Sequence, residues 1–462
     1  MNLKETLAEL ADTSKVDPEV LEYEALKPCR IRQEEFIKDL RYTFRNNRVK
    51  TLIEFTKDSK KWEEFTSFEI NDICRDFELN FKREKGDKEP SDKRIEHMVY
   101  NTKMSPHYDP FRAFFGENLW DGTPRLDKLA RTVTVKEFQL TAGGKSFSTG
   151  EIWPRMFTRW MVAAVHCAMG HGPNGVMLLL IGPAQGTYKT TWLNHLCPPL
   201  LSEYAHTGHI KPSLTENVTI NALAEKFILN IDDQLDTIFA KDFNDLKSII
   251  TTPFVTNRKA FRRDDQKRTR RANFVGSVNN TEIFRDHQNR RYLSFEVDGM
   301  INIEAARQLD MNQVWAEAYH LYKAGAQHYF DKQDEAIINS LADHFSFVTV
   351  EEEWFSRLFI PSEKADPLAI PYFPTEVLSI IKKASQLNVF ERNLSTALKK
   401  MGISKIKMRL KGYKDPRDVY MLRENFTRNG DKIDVIGFPR DSEDWQAPEP
   451  AKFQQTEMSF KK

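Results

Sequence analysis

Lys189-Thr190 follows a small-residue loop, Gly182-Pro183-Ala184-Gln185-Gly186-Thr187-Tyr188, and an apolar run, Leu178 to Ile181, leads into that loop. Strand, loop, then lysine and threonine at the start of a helix is an arrangement that holds a nucleoside triphosphate. Loop and helix N–H groups face the phosphates, the ammonium neutralises the outer two, and the hydroxyl ligates Mg²⁺. The set read from this spacing, for ATP with Mg²⁺, is Gly182, Gln185, Gly186, Thr187, Tyr188, Lys189, Thr190 and Thr191. The usual pattern has glycine immediately before the lysine, where this chain has Tyr188.

Three further stretches follow in the order such a site requires. Glu225 to Asp233 (EKFILNIDD) reads as a second buried strand ending in two carboxylates. Mg²⁺-dependent hydrolysis uses such a pair, Asp232 on the metal side with Thr190 and Asp233 on the attacking water. Alone, the pair would read in preference as acids capping a strand end. Ala272 to Asn280 (ANFVGSVNN) is a third strand, ending in amides. In ring ATPases a strand inserted between the first two sets an asparagine beside the γ-phosphate, a place Asn279 would fill. Arg290 and Arg291 come next, where either could reach the γ-phosphate of a neighbouring subunit. An arginine supplied in trans is worth ~10³–10⁵ in rate. Loop, acidic strand, amide strand and arginines in succession are more specific than any one of them.

Between the second and third strands lies Thr256 to Arg271, in which eight of sixteen residues are basic and two acidic, with Phe261 among them. A charge run is ordinarily a solvated face. Here it would project as a hairpin from the core, which suits a loop tracking a nucleic-acid backbone. The DNA-binding set is Arg258, Lys259, Arg262, Arg263, Lys267, Arg268, Arg270 and Arg271.

The elements that must position these groups divide the 462 residues into five stretches. Residues 1–105 read as a helical accessory domain, with an amphipathic helix over Ser67–Phe77 and a polar linker over 82–93. Residues 106–300 carry the nucleotide core and the long apolar helix Trp153–Met169, in which His166 reads as structural. Residues 301–360 read as a helical lid or connector, and 361–374 as a Pro-punctuated linker. Residues 361–425 then give two helices, the first capped by Thr375, and a basic hairpin, the pattern of a winged helix. Residues 426–462 read as a partly disordered tail ending in Gln455 to Phe460, whose Gln-x-x-Met-x-Phe spacing suits a sliding-clamp pocket. The net charge of +1 favours no class of partner by itself. Four scattered cysteines exclude a Cys-x-x-Cys zinc site or a disulfide framework and suit a reducing cytoplasm. No apolar run approaches the roughly 20 residues that span a bilayer.

The chain resembles the virulence-associated protein E family of phages and mobile elements, relatives of the superfamily-3 helicases within the P-loop AAA+ ATPases. The pieces that carry the resemblance are Trp120-Asp121-Gly122-Thr123-Pro124-Arg125-Leu126-Asp127, Gln185-Gly186 with Lys189-Thr190, Lys247, Phe274 to Asn279, Phe284-Arg285-Asp286, Asn289 to Tyr292, and Trp315 to Ala318. They run from about residue 105 to 330, and more loosely to 425. The resemblance implies an α/β, parallel-sheet AAA+ core that assembles as a ring, as a hexamer, on DNA during replication of a mobile element. It makes Lys189 and Thr190 the phosphate and Mg²⁺ residues, Asn279 the sensor, and Arg290 or Arg291 the finger. The chain departs from the family pattern at Tyr188, in a loop one residue longer before Gln185, and in Asp232-Asp233 where glutamates are commoner. Three readings follow: a DNA helicase or replication ATPase, a nucleotide-gated DNA-binding initiator or regulator without unwinding, and a scaffold with a degenerate pocket.

Overall fold

The computed structural model describes residues 18–429 and 432–435, apart from 59–60, 85–89, 233–234, 258–265 and 285–288. The chain divides between Ser346 and Phe347 into two compact units.

The first unit opens with strands. β1 (Tyr42–Asn47), β2 (Leu52–Lys57), β3 (Glu63–Glu64) and β4 (His107–Tyr108) form one sheet in the order β3-β2-β1-β4. Phe44, Ile53 and Phe65 from this sheet pack with Ile73 and Phe77 of helix Ser67–Asn80 and with Ile95 and Val99 of helix Asp92–Val99. The amphipathic helix starts where its sequence says, because Thr66 and Glu69 form a reciprocal capping box. The expectation of a helical domain over 1–105 is corrected: three strands interrupt it, and its sheet takes in residues 107–108. β1 and β2 carry polar residues at half their positions or more, so neither announces itself as an apolar run.

A small antiparallel pair, β5 (Gln139–Ala142) and β6 (Lys145–Ser148), precedes the helix Thr149–Ala168. The main sheet is built from β7 (Met177–Ile181), β8 (Ala205–Thr207), β9 (Ile228–Asn230), β12 (Asn273–Val278) and β13 (Tyr292–Glu296). All five strands are parallel, in the order β13-β7-β12-β9-β8, so the amide strand β12 does lie between β7 and β9. The hairpin β10 (Phe254–Asn257) and β11 (Gln266–Thr269) stands apart as its own two-stranded ladder.

Every residue of β7 is buried, as a parallel strand covered on both faces requires. Alternation sorts the side chains. Leu178 and Leu180 join Trp153, Phe157 and Trp160 of the long helix in one core. Met177, Leu179 and Ile181 join Leu223, Leu246 and Ile250 in the other. Gly276 lets β12 fit: a Cβ there would stand 2.9 Å from the Ile231 carbonyl oxygen and 2.5 Å from Leu235 Cδ1. Helices Met311–Lys323 and Lys332–His344 complete the unit.

The second unit holds helices Val350–Leu358, Pro374–Ser385 and Glu391–Lys400 around Phe355, Leu358, Val377, Ile381 and Leu398. β14 (Phe359–Pro361), β15 (Ile370–Tyr372) and β16 (Ile406–Met408) all pair antiparallel with β17 (Arg417–Glu424). The expected hairpin after the second helix is present. Three readings are corrected. The stretch 361–374 is no linker, because Ile370–Tyr372 pairs with Tyr420–Leu422. Helix 350–358 packs with this unit rather than with a lid over 301–360. Phe373, not Thr375, stands at the N-cap of helix Pro374–Ser385, its N–H donating to Glu376. β18 (Phe426–Asn429) and β19 (Lys432–Val435) form a last hairpin, while the clamp-like peptide 455–460 lies outside the described residues. Among the described residues no helix is long and apolar enough to cross a membrane.

Candidate functional site

Parallel strands send all their carboxyl ends to one edge, and ligands of open α/β sheets bind along that edge. β7 ends at Ile181, which pairs with Val278 at the end of β12, so Gly182 and Asn279 leave the sheet side by side. The Gly182 N–H donates to the Val278 carbonyl at 3.1 Å. β9 ends at Asn230, opposite Val275 and three residues before the end of β12, with the Ile231 N–H donating to the Val275 carbonyl. Asp232 follows it to the same edge.

The loop folds over Lys189. Its ammonium is 6% exposed and donates to the carbonyls of Gly182 and Ala184, each at 3.0 Å, and to the Thr187 hydroxyl at 3.1 Å. Burial lowers the Lys189 pKa, and the charge of Asp232 partly offsets that. The Thr187 carbonyl in turn accepts from the Ile301 N–H, which ties the loop to the chain after β13. Gly186 and Tyr188 both take left-handed backbone, at φ 74° and 63°. Tyr188 therefore holds the conformation for which glycine is the usual residue, with its ring exposed. The helix Lys189–His195 is seated by Trp192, fully buried and donating to the Thr132 hydroxyl at 2.8 Å.

Thr190, Ser277 and Asp232 form a chain. The Thr190 and Ser277 hydroxyls lie 3.2 Å apart, and Ser277 donates to Asp232 Oδ1 at 2.5 Å. A hydroxyl and a carboxylate on adjoining strands are hard oxygen donors of the kind Mg²⁺ takes, so these residues fit that ion. Ser277 is the member of this chain to which sequence reasoning gives no role. Its signal is a hydroxyl within a strand buried on both faces, which must find a polar partner. Among the described residues no group of three or more His, Cys, Asp and Glu side chains is poised to hold a metal alone. Gln185 and Asn279 are exposed at the same edge, and Thr191 is half-buried. Asp233 lies outside the described residues.

The arginines sit elsewhere. Tyr292 pairs with Met177 and Glu296 with Ile181, so Arg290 and Arg291 precede β13 at the amino end of the sheet. The length of β7, about 13 Å at about 3.3 Å per residue, separates them from the loop of their own chain. Arg290 pairs with Glu335 at 3.1 Å, and among the described residues the buried Arg291 Nε has no hydrogen-bond partner.

The basic run splits by burial. Arg258, Lys259, Arg262 and Arg263 lie outside the described residues. Lys267 is exposed over the Phe254 ring, at 4.1 Å from its centroid. Arg268, Arg270 and Arg271 are corrected as primary DNA contacts, because each is committed to the protein. Arg268 donates to Asn221, Glu225 and the Val49 carbonyl. Arg270, fully buried, donates to the carbonyls of Ala272, Asn174 and Ile250. Arg271 donates to the Ala168 carbonyl and pairs with Asp109 at 3.0 Å.

The turn ahead of the core also acquires a partner. Arg125 grips Asp121 with two donors, at 2.7 and 2.6 Å, and Trp120 Nε1 donates to the Thr123 carbonyl. Glu317, in the Trp315–Ala318 stretch, accepts from the Leu126 N–H. Two segments far apart in sequence thus form one local structure.

No curated protein matches the chain. Among solved structures, the apo structure of the NrS-1 C-terminal region (305–718) is similar at 11% identity and a TM-score of 0.47, over 85% of this chain and 98% of that one. The A-form apo structure of the same region is similar at 12% identity and a TM-score of 0.45, with the same coverage. The family model described as the virulence-associated protein E-like domain matches residues 116–346.

Proposed function

The chain belongs to the virulence-associated protein E-like family, and on that premise we propose that it is a Mg²⁺-dependent ATPase of the P-loop AAA+ class that acts on DNA in replication of a phage or mobile element. The observation that carries the reading is the convergence of Lys189, the Thr190–Ser277–Asp232 chain and Asn279 on one carboxyl edge of a parallel sheet. The strand order supports the same class, since the amide strand stands between the loop strand and the acidic strand.

In this mechanism the phosphates of ATP take over the donors that Lys189 now directs at Gly182, Ala184 and Thr187. The Thr190 hydroxyl and the Asp232 carboxylate would hold Mg²⁺, which would supply positive charge against the phosphates. Asp233 takes the proton of the attacking water, and Asn279 orients that water. Oxygen attacks the γ-phosphorus as the bond to the β-bridging oxygen breaks, giving ADP and phosphate. Arg290 or Arg291 lies too far from its own loop and acts on the next subunit, which makes a ring, as a hexamer, the working assembly. Single-stranded DNA passes along the loop 258–265. The winged-helix reading of the second unit adds duplex contact through Lys405, Lys407 and Arg409, all exposed on or beside β16. That exposed basic edge also favours the second reading, an initiator or regulator that binds duplex and recruits host proteins, the sliding clamp among them, without unwinding.

Steady-state ATP hydrolysis with Mg²⁺, with and without single-stranded DNA, tests the proposal against a Lys189→Ala control. DNA-stimulated turnover that vanishes in the control supports the motor. Turnover indifferent to DNA, with no strand displacement, moves the protein to the regulator class. No turnover and no ATP binding overturns the enzyme.

A further inference from the structure

Two adjoining cavities lie where the amino-terminal sheet meets the root of the β10–β11 hairpin. One, of about 530 Å³, is lined by Arg48, Thr51, Lys267 and Arg271 among others. The next, of about 590 Å³, is lined by Arg48, His107, Tyr108, Arg112 and Arg271. Arg48 and Arg271 border both, so the two form one groove. All of these residues belong to the first unit of the fold.

The groove is built, not incidental. Arg48 sits in the β1–β2 turn, which Asn47 shapes by accepting from the N–H groups of Val49 and Lys50. Thr51 closes the turn at φ 53°, a left-handed conformation rare for a β-branched residue. Its hydroxyl is enclosed without a hydrogen-bond partner. The turn is pinned to the core because Arg268 donates to the Val49 carbonyl and Asn47 to the Tyr204 hydroxyl at 3.0 Å. Arg48, Lys267, His107 and Arg112 are exposed, and among the described residues the Arg48 side chain has no partner. Among the described residues that line the groove, the one carboxylate, Asp109, is shared between Arg271 at 3.0 Å and Arg112 at 3.7 Å. Arg48, Arg112, Lys267 and Arg271, gathered from three separate segments with one acid among them, repel one another until an anion enters.

The aromatic rings decide which anion. Tyr108 lines the second cavity, and Phe254 is exposed beneath Lys267 at the other end. Alternating cations and ring faces suit a strand of phosphates with unpaired bases. The geometry points to this groove as a second single-stranded nucleic-acid path, running over the amino-terminal sheet to the root of the 258–265 loop. The inference rests on the nucleic-acid part of the proposed function and not on its hydrolytic part.

The test is fluorescence anisotropy of the full chain with fluorescein-labelled oligo(dT) across a salt series, comparing wild type with R48E/R112E, R48K/R112K and a loop variant, R262E/R263E. The expected result is at least about tenfold weaker binding for R48E/R112E, a salt slope shallower by about 0.7 for each phosphate no longer neutralised, and recovery in R48K/R112K. The urea unfolding midpoint stays at the wild-type level in R48E/R112E, which separates weakened strand binding from unfolding. Wild-type affinity in R48E/R112E together with weak binding in R262E/R263E overturns the groove and leaves the proposed function standing. No oligo(dT) binding by the wild type overturns both. Displacement of oligo(dT) by poly-glutamate at equal charge concentration, abolished in R48E/R112E, assigns the groove to an acidic protein and overturns the nucleic-acid path.

Discussion

Glu317 caps the helix that begins at Leu126: its carboxylate, 8% exposed in the residue as a whole, accepts from the Leu126 N–H at 2.9 Å and also from the Arg125 N–H. A helix N-terminus leaves donors that no intrahelical carbonyl can take, and here the acceptor comes from a different helix. Glu317→Ala strands the buried Leu126 N–H and the half-buried Arg125 N–H and is expected to cost about 1–3 kcal/mol in urea unfolding. A loss under about 0.5 kcal/mol would show the bond to be idle. Asp121→Asn is expected to cost less, because the Asp121–Arg125 pair is solvent-exposed.

Arg270 and Lys267 separate anchor from ligand. Arg270→Ala leaves carbonyls of Ile250, Asn174 and Ala272 without their donor and is expected to cost about 3 kcal/mol or more. Lys267→Ala is expected to lie within about 0.5 kcal/mol of wild type. Equal stability of the two variants would refute the assignment of Arg270 as the anchor of the hairpin root.

Tyr188 carries a conformational cost at φ 63°. Tyr188→Gly is expected to raise stability by up to about 1 kcal/mol, the left-handed penalty less the added freedom of the unfolded glycine. The same variant is expected to keep ATP turnover. A lower unfolding midpoint would mean that the exposed ring makes contacts worth more than the strain.

Arg290 and Arg291 stand at the far end of the sheet from Lys189. Lys189→Ala and Arg291→Ala subunits, each inactive alone, are therefore expected to regain turnover when mixed, as are Lys189→Ala and Arg290→Ala if that arginine is the finger. Some interfaces in the mixture then pair an intact lysine with an intact arginine. Failure of both mixtures to recover activity would reject the trans finger.

His166 stacks on His328 at 4.1 Å between ring centroids, with the Tyr322 hydroxyl 3.4 Å from its Nδ1. Burial first, and then the charges of His328 and His171, push its pKa from 6.5 to about 4. The neutral ring is the one the fold favours. Its contribution is complete above pH 6.5, where neither folded nor unfolded chain is protonated there, and is lost as pH falls from 6.5 to about 4. Urea midpoints of wild type are expected to drop more steeply across that window than those of His166→Gln. Parallel slopes would place the acid sensitivity elsewhere.

What could be read in the chain follows from where the determining partner lies. The run before Gly182 and the strands ending at Asp232 and Asn279 are legible because fully buried parallel strands are apolar along their length. The meeting of Thr190, Ser277 and Asp232 depends on strand order, which no local pattern encodes. Glu317 is illegible for the same reason, its partners being nearly two hundred residues away. The amino-terminal sheet escaped because β1 and β2 are short and half polar. Arg268 in β11 and Arg270 just past its end defeat the pattern for a different reason: charge suggests solvent, yet both side chains are buried.

The root of the β10–β11 hairpin has a mechanical meaning. Arg268 reaches Asn221 and Glu225 on one side and the Val49 carbonyl on the other, so a single guanidinium rivets the hairpin to two layers at once. A beam clamped at its base neither slides nor pivots under load; it bends and hands the moment to its support. Force applied to the chain between residues 257 and 266 is borne at that rivet and passed as torque to the amino-terminal sheet and to the helix Asn217–Glu225, whose chain runs on into β9 and Asp232.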